Sequence, residues 1–175
     1  MTANDMASLI EPQIPALRRY ARGLLRDPAA ADDLVQDCLE RAITRWHQRR
    51  GDDGPRSWLF TILHNLAMNR LRQDKRRGRH VGLDDAGEGV LSRPPRQEEQ
   101  IRYRDVVQAM AALPEDQRSV LLLVCVEEMA YAETAAVLQI PLGTVMSRLA
   151  RGRDKLRALM EGDQGAERPA LRRVK

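Results

Sequence analysis

Asparagine and arginine recur on one side of residues 56–77. Asn65, Asn69, Arg72 and Arg76 stand at i, i+4, i+7 and i+11, a spacing that aligns side chains along one face of a helix. An asparagine amide carries a donor and an acceptor that can read a base edge, and arginine binds phosphate. The run RLRQDKRRGRH at 70–80, which includes Arg77, adds six basic residues against one acid. A solvated polar face, its basic end favoured by the helix C-terminus, accounts for the same pattern. Asparagine is a poor mid-helix residue, however, and two in register on the outer side point to use.

A second basic surface follows at 131–153, YAETAAVLQIPLGTVMSRLARGR. It reads as a helix, a short turn and a second helix. Such a pair needs a small residue where the backbones approach and a branched apolar residue where the second helix packs back. Ala135 and Val145 fit those places, with Leu138, Ile140 and Leu149 completing a small core. Pro141 ends the first helix, because proline lacks a donor and disfavours helix in the preceding residue. Thr144 is placed to cap the second. That helix carries Arg148, Arg151, Arg153, Lys155 and Arg157 against Asp154, as a recognition helix in the major groove would.

Residues 29–48 bear the opposite charge. Asp33, Asp37 and Glu40 lie at i, i+4 and i+7, with Gln36 beside them. The helix dipole explains acids near the N-terminus, Asp33 included, but not Glu40. An acidic stripe in a chain that binds nucleic acid suggests a basic protein partner instead.

The elements that must carry these residues are helices. Only one Phe, two Trp and three Tyr occur in a chain that is 43% hydrophobic, a core chemistry of Leu, Ala, Val and Ile. Apolar periodicity predicts helices at 13–26, 29–48 and 56–77, then at 98–112 and 114–128, with the helix-turn-helix last. In the second of these, Leu34, Cys38 and Ile43 are expected inside with Val35, Leu39, Ala42 and Trp46. The stretch VLLLVCV at 120–126 is β-prone, but its continuity with Pro114-Glu115-Asp116 favours a buried helix. Gly78, Gly82, Gly87 and Gly89 gather before Pro94-Pro95, a composition that reads as a linker. The expected layout is therefore all-α: a three-helix unit over 1–77, a flexible joint over 78–100, a helix-turn-helix unit over 101–160 and a frayed tail over 161–175.

Other chemistry finds no support. Cys38 and Cys125 are far apart and read as buried small hydrophobes in a reducing compartment. No Cys and His set has metal-ligand spacing, and His47, His64 and His80 lack a catalytic constellation, so no metal, cofactor or small-molecule substrate is expected. No apolar run approaches the ~20 residues that span a bilayer. The start, MTANDMASLIEPQ, lacks the basic region of a signal peptide, which predicts a cytoplasmic protein.

Four segments, DPAAADDLVQDCLERAITRW, RSWLFTILHNLAMNRLRQDKRR, LPEDQRSVLLL and YAETAAVLQIPLGTVMSRLARGRDKLR, together resemble the bacterial extracytoplasmic-function sigma factors. These are the minimal two-domain members of the sigma-70 family. The resemblance covers roughly residues 10–160 and implies a dissociable initiation subunit of RNA polymerase, not an enzyme. It implies that Asp33, Gln36, Asp37 and Glu40 dock on the β′ clamp helices, with the β flap a further polymerase contact. Asn65 and Asn69 would recognise and melt the minus-ten promoter element, the loop from Arg49 to Ser57 forming the rim of a pocket for an unpaired base. Arg72, Arg76 and Arg77 would hold the strand backbones. Thr144, Met146, Ser147, Arg148 and Arg151 would face the minus-thirty-five element, and the linker would thread toward the transcript exit path. An anti-sigma factor that occludes the polymerase-binding faces is also implied.

The sequence departs from the family's commonest pattern at three places. Gln139 stands where a turn glycine is usual, so it either takes a left-handed conformation or the turn is remodelled. Met146 replaces a frequent lysine, which would favour contact with a thymine methyl. Ala132 and Thr134 replace a more usual Glu and Ile and thin the core. An autonomous helix-turn-helix regulator would explain 131–157 but not the acidic stripe, the Asn–Arg face or the linker. An RNA-binding regulator would want exposed aromatics for stacking. The end of the chain, ERPALRRVK, reads as a disordered basic tail or a regulatory one.

Overall fold

A computed structural model describes residues 3–49, 54–78 and 97–164. All regular structure among them is helical. The first unit contains α1 (Ala3–Ile10), α2 (Ile14–Leu25), α3 (Pro28–Arg45) and α4 (Pro55–Arg76). The second contains α5 (Gln97–Ala111), α6 (Glu115–Leu121), α7 (Tyr131–Leu138) and α8 (Leu142–Gln164). Residues 79–96, most of the expected joint, lie outside the described residues, as do 50–53 of the expected rim loop and the tail ERPALRRVK. Helix α5 begins at Gln97, inside the expected joint, and α8 continues to Gln164, into the expected tail.

Local chemistry sets the boundaries. Asp27 ends the turn after α2 by accepting a hydrogen bond from the Ala30 amide at 3.0 Å, with Pro28 in the first turn of α3, a position that needs no proline donor. Helix α1 was not foreseen in the acidic N-terminal sequence. Its Ile10 is buried and Met6 packs against the same core. The core of the first unit is built from Leu17, Tyr20, Leu24, Leu34, Val35, Cys38, Leu59, Phe60 and Leu63, all within 5% of full burial. Tyr20 meets Phe60 edge-on, ring centres 5.5 Å apart. Two expected core positions turn outward. Ile43 is 53% exposed and Cys125 is exposed, whereas Cys38 is buried as expected. Ile43 comes late in α3, on the turn that faces solvent rather than α4, and Cys125 lies in the last helical turn before the chain reverses.

The helix over 114–128 is not uniform. After α6 the chain widens into a π-helical turn, Leu122–Val126, in which the Glu127 amide donates to the Leu122 carbonyl at 2.9 Å. Glu128 then adopts left-handed backbone, φ 54°, and the chain reverses into α7. The β-prone residues of this stretch are helical because Val120, Leu121, Leu122 and Leu123 are buried on both sides of it.

The two units are packed together, a relation the sequence left open. Leu122, Leu123, Met129 and Val137 of the second unit join the core of the first. Helix α7 lies on α4, and α2 touches α5, α6 and the π-helical turn. A separate small core, Leu113, Val120, Leu121, Val145 and Leu149, holds α6 to α8, with Ala135, Leu138 and Ile140 packed on it as the helix-turn-helix pattern predicted.

Candidate nucleic-acid and protein interfaces

Helix α4 divides cleanly by chemistry. Leu59, Phe60, Leu63, Leu66 and Ala67 are buried, while Asn65, Asn69, Arg72, Arg76 and Arg77 are exposed. The Arg72 guanidinium donates to the Asn69 side-chain oxygen at 3.3 Å, so these two are held in one arrangement. Asn69, Arg72, Gln73, Lys75 and Arg76 line a shallow depression along this side. Arg70 is neutralised by Asp74 one turn on, at 3.4 Å. Net positive charge is thus left on the Asn–Arg side, where phosphate would meet it.

At the start of α4, Trp58 meets Trp46 edge-on with ring centres 5.8 Å apart, and the Arg49 guanidinium lies 4.9 Å above the Trp46 ring. This aromatic pair fixes both ends of the loop that the sequence assigned to a base pocket. Arg56, within that same stretch, points elsewhere. It donates to the Glu127 backbone carbonyl and lies 3.8 Å from the Glu127 carboxylate.

On α3, Asp33, Gln36, Asp37 and Glu40 are all exposed. The Gln36 amide donates to the Glu40 carboxylate at 3.3 Å. Asp32 differs from them: it accepts from Arg22 of α2 at 3.2 Å and lies 3.7 Å from Arg18, so it ties α2 to α3. Ile43 falls on the acidic side three residues after Glu40, adding an apolar contact that periodicity had assigned to the core.

Helix α8 begins at Leu142, so Thr144 sits within its first turn instead of capping it, its amide donating to the Pro141 carbonyl at 2.9 Å. Of the five residues expected to face DNA, Met146, Ser147 and Arg151 are exposed, and Thr144 and Arg148 are half-buried. Arg151 donates to the Ser147 carbonyl at 3.2 Å. Arg148 lies 3.2 Å from Asp116 at the start of α6, which orients its guanidinium. Gln139 resolves the turn question: it is left-handed, φ 54° and ψ 45°. Its amide donates to the Ala136 carbonyl and that of Ile140 to the Ala135 carbonyl, a helix end normally built on glycine.

Burial shapes the titratable groups. The Cys38 thiol is pushed up to about 12, mainly by burial, and donates to the Leu59 carbonyl at 3.5 Å. This is a packed thiol, not a nucleophile. His64 is lowered to about 4 by burial and by the positive charges of Arg148 and Arg72. Its Nδ1 shares a hydrogen bond with the Tyr20 hydroxyl at 2.9 Å. Among the described residues no helix is long and apolar enough to cross a membrane.

Residues 10–64 match the family model of the Sigma2 domain of PhyR, and residues 103–156 match that of sigma-70 region 4. The ECF RNA polymerase sigma factor EcfG of Rhodopseudomonas palustris is 36% identical over 154 residues, which cover 88% of this chain and 83% of that protein. SigC of Mycobacterium tuberculosis is 33% identical over 149 residues, 79% of this chain and 75% of that protein. Among solved structures, the sigma factor RpoE in a co-crystal with the anti-sigma factor NepR, from Bartonella quintana, matches with a TM-score of 0.77 and 28% identity. That match covers 92% of this chain and 99% of the other.

Proposed function

Because the chain belongs to the extracytoplasmic-function sigma factors of the sigma-70 family, we propose that it binds core RNA polymerase and directs it to promoters by a division of labour among three helices. The observation that carries this reading is the exposed Asn65–Asn69–Arg72–Arg76 side of α4 in one chain with a basic helix-turn-helix. A regulator acting on duplex DNA alone has no need of the first. Helix α4 engages the minus-ten element. Its asparagines read bases that leave the stack, and Arg72, Arg76 and Arg77 hold backbones that carry affinity without sequence information. Extrusion of a base costs its stacking, which a pocket must replace. The Trp46–Trp58 pair and Arg49 flank the segment to which this reading assigns the pocket.

Helix α8 enters the major groove of the minus-thirty-five element through Met146, Ser147, Arg148 and Arg151, with Thr144 at its first turn. The stripe of Asp33, Gln36, Asp37 and Glu40, extended by Ile43, docks on the β′ clamp helices, and the second unit meets the β flap. The chain itself recognises and melts; bond formation belongs to polymerase. The working compartment is accordingly the cytoplasm. Control by an anti-sigma factor is part of this reading, supported by the likeness over nearly the whole chain to a sigma factor captured with one.

Run-off transcription tests the proposal, with purified protein, sigma-free bacterial core polymerase and a library of DNA from upstream of its own gene. Core-dependent transcripts from a defined start are expected. Tight binding to duplex DNA without polymerase, and no transcript from any template, would overturn the reading in favour of an autonomous regulator.

A further inference from the structure

A cavity of about 320 Å³ opens between α2, α5, the π-helical turn and α8. None of its lining residues belongs to the acidic stripe of α3, the Asn–Arg side of α4 or the groove-facing set of α8. Its walls are almost wholly apolar, with Val106, Val107, Met110, Leu121, Leu122 and Leu156 supplying most of them. Packed helices normally close such a space, because protein interiors fill to the density of organic crystals. The volume lies at the lower end of the range for small-molecule sites, which set a few polar groups into an apolar wall.

The charged groups in this wall are all of one sign. Arg22, Arg26 and Arg153 line the cavity. Arg22 donates through Nη2 to both Asp32 oxygens at 3.2 Å, but its Nε is buried without a hydrogen-bond partner. Among the described residues neither Arg26 nor Arg153 is paired with a carboxylate. Arg26 donates to the Ala111 carbonyl at a long 3.5 Å, and Arg118 donates to the same oxygen at 2.9 Å. Two guanidinium groups thus share one neutral acceptor. Arg118 is 4% exposed, and burial together with the charge of Arg26 lowers its pKa to about 10. Arg153 reaches Cys125 Sγ at 3.6 Å, and sulfur is a weak acceptor. The cavity therefore combines an apolar wall with cationic donors that lack an anionic acceptor.

We propose that this cavity binds an organic acid with an apolar body, of the class of a medium-chain fatty acid, its chain among Val107, Met110, Leu122 and Leu156 and its carboxylate on the arginines. Guanidinium matches a carboxylate in geometry as well as charge. Nucleotides and sugars suit the walls poorly, since their many donors and acceptors would be buried without partners. A cationic amphiphile would meet like charge. A neutral one would fill the wall and leave the arginines without a counter-ion. The binding is a property of the chain alone and needs neither polymerase nor promoter.

Calorimetric titration of the full chain with decanoate, below the concentration at which it forms micelles, is expected to show one saturable site. Decanol, which has the same chain without the charge, should bind roughly tenfold more weakly or worse, as the loss of a charged hydrogen bond requires. The double variant Arg26→Gln, Arg153→Gln should lower decanoate affinity by about the same factor and leave decanol unchanged. Val107→Phe, which adds bulk to the wall, should weaken both. Cys125 supplies a second readout. It lines the cavity and is exposed, whereas Cys38, the other cysteine of the chain, is buried. Alkylation by iodoacetamide thus reports on Cys125, and decanoate should slow it in proportion to occupancy. The comparison of acid with alcohol and the alkylation need no variant, so misfolding of a variant leaves the test intact. No saturable binding, equal affinity for acid and alcohol, or alkylation unaffected by decanoate would overturn the proposal. Dimerisation of the ligand-free chain that Val107→Phe disrupts would assign the cavity to a second copy and overturn it as well.

Discussion

Single side chains separate recognition from support in this molecule. Asn65 and Arg76 occupy the same exposed side of α4 but face different chemistry. Asn65→Ala should lower run-off transcription roughly tenfold in a promoter-dependent way, since one good base contact carries about 1–3 kcal/mol of discrimination. Arg76→Ala should instead weaken all promoters alike and reduce the salt slope of binding by about 1, the signature of a lost phosphate contact. Titration of open-complex formation against salt on two promoters distinguishes them. Thr134 poses the opposite case. It is fully buried and its hydroxyl has no hydrogen-bond partner, so the polar atom is a cost. Thr134→Val keeps the shape and removes that cost, and should raise stability by about 1 kcal/mol in urea unfolding. The sequence pointed to this position as a thinned core, though not to the orphaned hydroxyl, because burial from several directions is a property of packing and not of spacing.

Helices were readable where one side of a segment faces one core. The periodicity of α2, α3 and α4 predicted their extents closely, and the small residue and branched residue of the helix-turn-helix fell where expected, as Ala135 and Val145 around Leu149. Periodicity failed where an element serves a surface outside its own bundle. Ile43 was assigned to the core and lies outside it, on the acidic side of α3. Arg19, a charged residue of α2, is directed to Glu127 of the second unit. Helix α1 escaped because its eight residues, Ala3–Ile10, make little more than two turns, too short for an apolar repeat to stand out. The turn between α7 and α8 shows how a local rule is broken at a cost. Gln139 holds left-handed backbone, which disfavours a residue with a Cβ by roughly 1–2 kcal/mol. Gln139→Gly should stabilise the second unit by about 1 kcal/mol, the larger entropy of unfolded glycine offsetting part of the gain. A rise in the urea midpoint without change in m-value checks it.

The assembled chain couples its two units through groups that no unit-by-unit reading brings together. His64 belongs to α4, yet its environment is made by both units: Tyr20 of α2 is hydrogen-bonded to it, and Arg148 of α8 joins burial and Arg72 in disfavouring its charge. Its pKa falls from 6.5 to about 4 in the folded chain, so the native state holds it neutral while the unfolded chain takes up a proton below pH 6.5. Between those values the unfolded state binds more protons, and stability must fall as pH falls. The contribution is complete above pH 6.5 and is lost progressively toward pH 4, reaching about 2–3 kcal/mol by pH 4.5. Carboxylates titrate over part of the same range, so the comparison is with His64→Gln, which retains an acceptor for Tyr20 and gains no charge. The wild type should lose stability relative to this variant from pH 6.5 downward, measured by urea unfolding at fixed ionic strength. A constant difference across the range would place His64 in solvent in the free chain. Because Arg148 comes from the second unit, separation of the units removes one of the two charges opposing protonation.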